Sequence, residues 1–549
     1  MRSRLVVLAC SLLVACGPTP TAPPAPPVPE ADAGQPSPGE PFPETPDAGP
    51  PPGVLEGDQI VRTAVELETL RGCVELRGSL DLQFVESVDL EPLAQLTRVR
   101  GNVLLDHASV TALDGLRSLS HVGGDLSLRS SSVTDLDGLR ALSHVGGDLR
   151  IESNPSLLRA EGPPALASVG GTLSLSYNDA LVHIAGWNAL TRVEGDLAIG
   201  NNPRLEQVEG FERLRHVGRG LRIQDSPRLA ALPELPQLTT ITQELSIDSL
   251  NALPALEGFP RVTVLGGLSL TGNGSLTRVV AFSGVTRLAY SLSLVGNPRL
   301  TDLEGLRHLE RVEGAVLIRR QEQLAHLEGL RALRFIGGVL FSLRDLPALT
   351  GLQGLRGLQE IQGDLSLDTL PQLQGLQELG ALTRVGGSVD LHDTGLVSLA
   401  GLSALRDVGA SVRVRYNAEL RDLTGLEGLG AIPGSLELAG NFSLERLTGL
   451  GALTTVGGDV SVLNHRSLTS LSGLDALERI GGALTVREGY ALRRLTGLGA
   501  LRSLTGPLTV SQNAVLPACE ADGLLRRLRA LGYTGPGTLE GNGGGGTCP

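Results

Sequence analysis

The sequence predicts a mainly β protein: a long right-handed parallel β-solenoid of about 19 coils of 23–25 residues, closed by a short C-terminal helical cap. Three observations predict it. First, the stretch at residues 142–157, L-S-H-V-G-G-D-L-R-I-E-S-N-P-S-L, returns in related form about every 24 residues from Leu80 to Val510. A fixed period of this size marks an array in which each unit stacks on the last. Second, every unit carries an apolar-x-apolar pair, as in Leu126-Ser127-Leu128, the period-two signature of a strand with one buried face. Third, turn residues bound each strand on both sides.

The elements follow in order within one coil. The apolar residue that opens the strand falls at Leu80, Val103, Leu126, Leu149, Leu173, Leu197, Leu221, Leu245, Leu268, Leu292, Val316, Leu340, Leu365, Val389, Val412, Leu436, Val460, Leu484 and Leu508. Upstream stand glycine pairs (Gly123-Gly124, Gly146-Gly147, Gly170-Gly171), which tolerate backbone angles other residues resist. Downstream lies Asn154-Pro155, Asn202-Pro203 or Asn297-Pro298, and then a second apolar series such as Leu113, Leu116, Leu119 and Val122. Two or three short strands and corners complete the coil. With neighbouring strands about 4.8 Å apart, the opening strands form one parallel sheet roughly 85 Å from first to last.

The ends differ in composition. Residues 1–15 read as a signal peptide: Met-Arg-Ser-Arg, then an apolar run, then small residues. The run is shorter than the roughly 20 helical residues that cross a bilayer. Its ending, Leu13-Val14-Ala15-Cys16, resembles the lipobox of bacterial lipoproteins, which implies a lipid on Cys16. Gly17 rather than Asp follows, which by that resemblance implies the outer membrane or cell surface of a Gram-negative host. Residues 16–53 are a Pro-rich tether, with fifteen prolines among residues 17–53, too apolar-poor to build a core. Residues 54–79 are an N-terminal cap, with a helical turn expected around 64–70, and residues 80–510 hold the repeats. In the C-terminal cap, 511–549, residues 520–531 have helical apolar spacing and stop at Gly532. Cys519 and Cys548 bracket this cap and are expected to pair as a disulfide in an exported chain, closing a loop worth about 3–4 kcal/mol. Cys73 is left as an odd thiol, expected to be buried.

The chain carries a net charge of −13, so nucleic acid is not an expected partner. All forty-six basic residues are Arg. Without Lys there is no Schiff-base chemistry and no P-loop, so the C-terminal glycine run is not a phosphate cradle. Neither G-x-S-x-G nor H-E-x-x-H occurs, no enzyme activity is expected, and no cofactor or metal is implied. Aromatics make up 3% of the chain and Trp187 stands alone, which disfavours a neutral-sugar site.

The pattern L-x-x-V-x-G-D-L-x-I-x-x-N-P-x-L at residues 190–205 resembles the repeat of receptor L domains, the leucine-rich-like ligand-binding solenoids of insulin and epidermal growth factor receptor ectodomains. The likeness spans roughly residues 70–510, with many more coils than those domains have and without their disulfides. It implies a binding role and carries over no contact residue.

Equivalent positions stack into columns, and three columns matter. The residue between the two strand apolars is expected to face outward: Ser127, Ser174, Ser246, Ser269, Ser293, Ser366, Ser461, Thr485 and Thr509, a hydroxyl face that suits docking or is a bland exposed strand. In it Asp390, Arg413 and Glu437 form an expected surface charge ladder. The corner column Asn154, Asn178, Asn202, Asn273, Asn297, Asn417, Asn441 and Asn513 is expected to bond within the turns. The third column precedes the last apolar residue before the glycines: Arg98, His121, His144, Arg192, His216, Arg287, Arg311, Arg384 and Arg479, against the acids Glu75, Glu360 and Asp407. It is a candidate binding edge for an acidic partner, with a solvated, acid-paired face as the rival reading. The neighbouring pair His121 and His144 lacks a third ligand for zinc. The functional expectation is therefore a membrane-anchored surface scaffold that binds a protein or an acidic polysaccharide. A structural spacer of the envelope and a divergent carbohydrate-active enzyme are the alternatives.

Overall fold

A computed structural model of the chain describes residues 53–86 and 88–543. The expected signal peptide, Cys16, the Pro-rich segment up to residue 52 and Cys548 lie outside the described residues. The described residues belong to one compact unit.

The period of the sequence becomes a parallel β-solenoid of about 19 turns. One coil shows the logic. Leu149 and Ile151 of the strand Leu149–Glu152 point inward and are fully buried, while Arg150 and Glu152 face out. The strand pairs in register with Leu126–Arg129 on one side and Leu173–Ser176 on the other, so leucine stacks on leucine. At Ser153 the backbone swings into the left-handed region (φ 58). That corner recurs at Tyr177, Asn201, Asp225, Arg320, Thr369, Tyr416 and Gln512, and glycine fills it at Gly272, Gly296 and Gly440. The chain then returns through Leu157, Ala160 and Leu166, all buried, to the two-residue strand Ser168–Val169 and the next glycine turn. The inward residues of all coils merge into one continuous apolar core.

The return side is not uniform. In several coils, at an Asp/Glu-Gly-Leu stretch, it makes a single 3₁₀ turn, as at Asp114–Leu116, Asp137–Leu139, Glu304–Leu306 and Glu328–Leu330. There the glycine is obligatory, because a Cβ on Gly138 would sit 1.9 Å from the Leu113 carbonyl oxygen. Elsewhere it forms a short sheet of its own, Arg159–Glu161 with His183–Ala185 and Gln207–Val208. In two coils the turn that separates opening strand from return strand is ironed out, and Thr240–Asp248 and Val264–Thr271 run straight through with a bulge between them.

One opening residue needs correction. Leu340 is not the inward residue of its coil: Phe341 is, fully buried and paired with Val316 and Leu365. The turn 337–340 is one residue longer than its neighbours, and a one-residue slip exchanges the two faces of a strand.

Both ends are covered. The helix α1 (Ala64–Glu68) starts from a capping box: Thr63 Oγ1 accepts from Glu66 N–H at 3.2 Å, and Glu66 Oε2 accepts from Thr63 N–H at 3.0 Å. The cap also joins the sheet, since Gln59–Ile60 pairs with Leu80–Asp81. At the other end α2 (Ala518–Ala530) lays Ala521, Leu524, Leu525 and Leu528 over the core and ends before Gly532 (φ 95). Beyond it Gly537–Thr538 adds a last strand to Leu508–Thr509.

Candidate functional site

The outward surfaces of the coils are built by ladders, and each ladder decides which side chains remain free to meet a partner.

The Asn corner is the most fully engaged. All eight asparagines are buried with no exposed surface. The Asn178 amide oxygen accepts from the Asn154 N–H at 2.9 Å, and its Nδ2 donates to the Ile151 carbonyl at 3.0 Å. Asn202, Asn297, Asn417 and Asn441 repeat both contacts or one of them. The ladder closes on Asn542, which takes the Asn513 N–H at 3.3 Å and donates to Val510 O at 2.7 Å. Every amide group is committed to the fold.

A second ladder, which sequence reasoning missed, runs through the residue just before many of the opening strands. Asp125 Oδ1 accepts from Asp148 N–H at 2.7 Å, and Asp148 Oδ1 from Thr172 N–H at 2.6 Å. Asp364, Ser388, Ser411, Ser435 and Asp459 continue the pattern. The signal was there in the recurring Asp or Ser after the glycines.

The hydroxyl column is less open than the alternation implies. Ser127, Ser174 and Ser246 are buried, at 3%, 5% and 8% exposure. They lie on the outward face, but longer neighbours close over them: Ser127 donates to Asp106 at 2.6 Å, Ser174 to Glu152 at 2.5 Å and Ser246 to Asp248 at 2.6 Å. The expected ladder Asp390–Arg413–Glu437 is also rearranged. Asp390 is held by Arg415 Nη2 at 2.8 and 3.1 Å, and Arg413 reaches Glu437 at 4.0 Å. Next to it His392 Nδ1 meets Asp368 at 2.9 Å and packs edge-on to Tyr416. Burial works against the Asp368 anion, but the His392 and Thr369 hydrogen bonds and nearby Arg344 hold it below the usual carboxylate range. Glu244 and Asp248 go the other way: burial raises both, and Asp248 Oδ1 has no partner.

Eight of the nine residues of the candidate edge stand in one column of the main sheet, and Arg479 holds the equivalent place in a separate four-stranded sheet. Arg98, His121 and His144 are consecutive, with Ser168, Arg192 and His216 after them. Arg287 pairs with Arg311, Arg384 sits between Glu360 and Asp407, and Arg479 between Thr455 and Ser503. Most of the arginines are already neutralised. Arg192 is clamped by Glu194, and Arg287 and Arg311 share Glu313 at 3.0 and 3.1 Å, with Arg311 also lying 3.9 Å over Phe335. Arg384 faces Glu360 at 3.7 Å and Arg479 faces Glu478 at 3.5 Å. Arg98, His121, His144 and His216 make no ion pair with a carboxylate among the described residues. His121 and His144 stack with ring centroids 4.5 Å apart.

Aromatic placement is selective. Trp187 and Phe211 stack inside the core, with Trp187 fitting only because Gly162 lies against its ring. Four of the five tyrosines instead stay half-exposed: Tyr177 at 55%, Tyr290 at 53%, Tyr416 at 52% and Tyr490 at 54%. Among the described residues no group of three His, Cys, Asp or Glu could hold a metal, and no helix is long and apolar enough to cross a membrane.

No protein-family model matches this chain, and no curated protein matches it either. Twenty-five chains of solved structures do. One is an internalin of Listeria monocytogenes, 15% identical, with the match covering 58% of this chain and 88% of that one at a TM-score of 0.29. The solenoid is defined by its strand registers.

Proposed function

We propose that this protein is a non-enzymatic binding scaffold, held at the cell surface by a lipid on Cys16 and presenting its stacked outward faces to a protein partner. The observation that carries the reading is the placement of tyrosine. The core takes the leucines, the lone tryptophan and several phenylalanines, yet four of five tyrosines keep more than half of their surface in water. Tyrosine and arginine are the side chains that dominate protein interfaces, because each offers a large apolar body with a polar tip. Tyr416 is also preordered: His392 packs against its edge, and the facing coil carries Gly440, where a Cβ would lie 2.7 Å from its ring.

The test is site-specific photocrosslinking in the cells that make the protein. A photoreactive residue at Tyr177 or Tyr416 is expected to capture a discrete protein adduct, and one at buried Tyr533 none. Absence of adducts at both surface positions would sink the reading and leave the envelope spacer in its place. The anchor is tested separately, by the mass of the mature N-terminus with and without Cys16→Ser.

The carbohydrate-active alternative has one observation in its favour, the raised pair Glu244 and Asp248 on one outward strand face. Glycan cleavage abolished by Asp248→Asn would favour it.

A further inference from the structure

We propose that Arg98, His121 and His144 together form a binding site for an acidic polysaccharide, and that the site strengthens as the two imidazoles take up protons. It is separate from the tyrosine positions and does not depend on them.

The three side chains stand in register in successive coils, Arg98 against His121 and His121 against His144. The row therefore advances by one cation-capable group per strand spacing, about 4.8 Å. Arg98 is exposed and both histidines are half-buried, so the rings are fixed by packing yet open to solvent on one side. What distinguishes this run from the arginines further along the column is the weaker counter-charge: Arg287 and Arg311 share Glu313, while no carboxylate lies within ion-pair distance of these three among the described residues, and Glu75, in register with Arg98, acts on it only at longer range.

The groups around the row are accounted for. Glu75, one coil earlier, is occupied by Arg100 at 2.7 Å. Two residues after each histidine the chain makes its glycine turn, Gly123-Gly124 and Gly146-Gly147, leaving a shelf without side chains beside the two histidines; beside Arg98 the turn carries Arg100. The shelf is bare by necessity, since a Cβ on Gly146 would lie 2.2 Å from the Gly123 carbonyl oxygen. Beyond it Asp125 and Asp148 are bound to backbone N–H groups and to Arg150.

Burial, and then the nearby Arg98 and His144, hold the His121 imidazole below its ordinary pKa. A polyanion laid along the row supplies the charge the site lacks. It favours the imidazolium forms, and by linkage protonation favours the polyanion equally. A linear glycan with one carboxylate per sugar presents evenly spaced charges and a flat ring to the shelf. An extended acidic peptide turns successive side chains to opposite sides and offers the row fewer of them.

The experiment uses the full chain and polygalacturonate as the probe, with uncharged dextran and polyglutamate as comparisons, at pH 7.5 and 5.5. The polygalacturonate carboxylates stay ionised across this window. Wild type is expected to bind polygalacturonate at least fivefold more tightly at pH 5.5. His121→Gln with His144→Gln removes that gain, Arg98→Gln weakens binding at both pH values, and Arg287→Ser with Arg311→Ser leaves it unchanged. His121→Lys, with a fixed charge, tightens binding at pH 7.5, a gain that a misfolded variant does not show. Equal wild-type binding at the two pH values, a gain retained by the double His variant, or polyglutamate bound as tightly as polygalacturonate overturns the proposal.

Discussion

His465 occupies the buried corner that Asn441 fills one coil earlier, and its two ring nitrogens face the Asn441 and Leu438 carbonyl oxygens at 3.0 and 3.2 Å. A neutral imidazole has one N–H and cannot donate to both. The ring also offers no oxygen to the Asn441 N–H, the contact that Asn441 itself provides to Asn417 at 2.9 Å. His465 is therefore one step at which the ladder is incompletely bonded.

His465→Asn is expected to restore both ladder contacts and to stabilise the chain by about 1 kcal/mol. It also changes the pH dependence. Burial holds the His465 pKa below its ordinary value despite the two carbonyls. The unfolded chain then binds a proton near pH 6.5 that the folded chain refuses. Stability from this residue is complete above about pH 6.5 and is lost as pH falls towards the folded value. Urea melts at pH 7.5 and 5.0 check it: wild type should lose more stability between them than His465→Asn does. An equal loss would show that His465 contributes nothing to acid sensitivity.

Asn178→Ala tests the ladder in the opposite direction. It strands the Asn154 N–H and the Ile151 carbonyl, both buried, at a cost of about 3 kcal/mol. Long arrays do not unfold as one unit, so the damage should be local. Hydrogen exchange is expected to accelerate in Leu149–Glu152 and Leu173–Ser176 and to stay unchanged in Leu484–Gly489. Asn178→Ser should cost less, because Ser131 holds the same corner through its hydroxyl, which donates to Leu105 O at 2.8 Å.

The fold was legible because the period is visible in single residues: Leu126, Leu149 and Leu173 are spaced as they are because they stack. The same spacing placed the buried asparagines and the edge column. It did not show the extra residue that puts Phe341 rather than Leu340 inside, because both are apolar. Nor did it show that Asp106 and Glu152 close over Ser127 and Ser174. Alternation reports which face a side chain leaves from, and its neighbours' lengths decide whether it reaches water. The pairing of Arg287 and Arg311 by Glu313 was hidden for a related reason. Glu313 lies two residues after Arg311 and 26 after Arg287, so one acid serves two coils, which a column read one position at a time does not reveal.

The left-handed corner gives a stabilising substitution. Arg320 sits at φ 54, where an L-residue costs roughly 1–2 kcal/mol, and its side chain makes no hydrogen bond or ion pair with the described residues. The two preceding coils use Gly272 and Gly296 there. Glycine loses about 0.5–1 kcal/mol in chain entropy, so Arg320→Gly is expected to gain up to about 1 kcal/mol net. The adjacent Arg319→Gly, inside the strand Val316–Arg319, should lose stability. Thermal melts of the two variants should move in opposite directions, and parallel shifts would contradict the corner account.

Thiol chemistry separates the cysteines. Cys73 is 6% exposed, its Sγ lies 3.4 Å from the Glu75 carbonyl oxygen, and burial pushes the thiol pKa up. Only the thiolate is nucleophilic, so native Cys73 is expected not to react with a disulfide reagent at pH 8. If the mature chain begins at a lipidated Cys16, and Cys519 is paired with Cys548, then denaturant should release one thiol per chain. Prior reduction should release three. One thiol becoming three supports the C-terminal loop closure, which by the chain-entropy estimate steadies the cap by about 3–4 kcal/mol. Three thiols without reduction would mean that α2 holds the last coil through Ala521, Leu524 and Leu528 alone. Cys73→Ala distinguishes the remaining case: it should abolish the single thiol of the unreduced chain, and any thiol left behind would belong to Cys16 or to the cap.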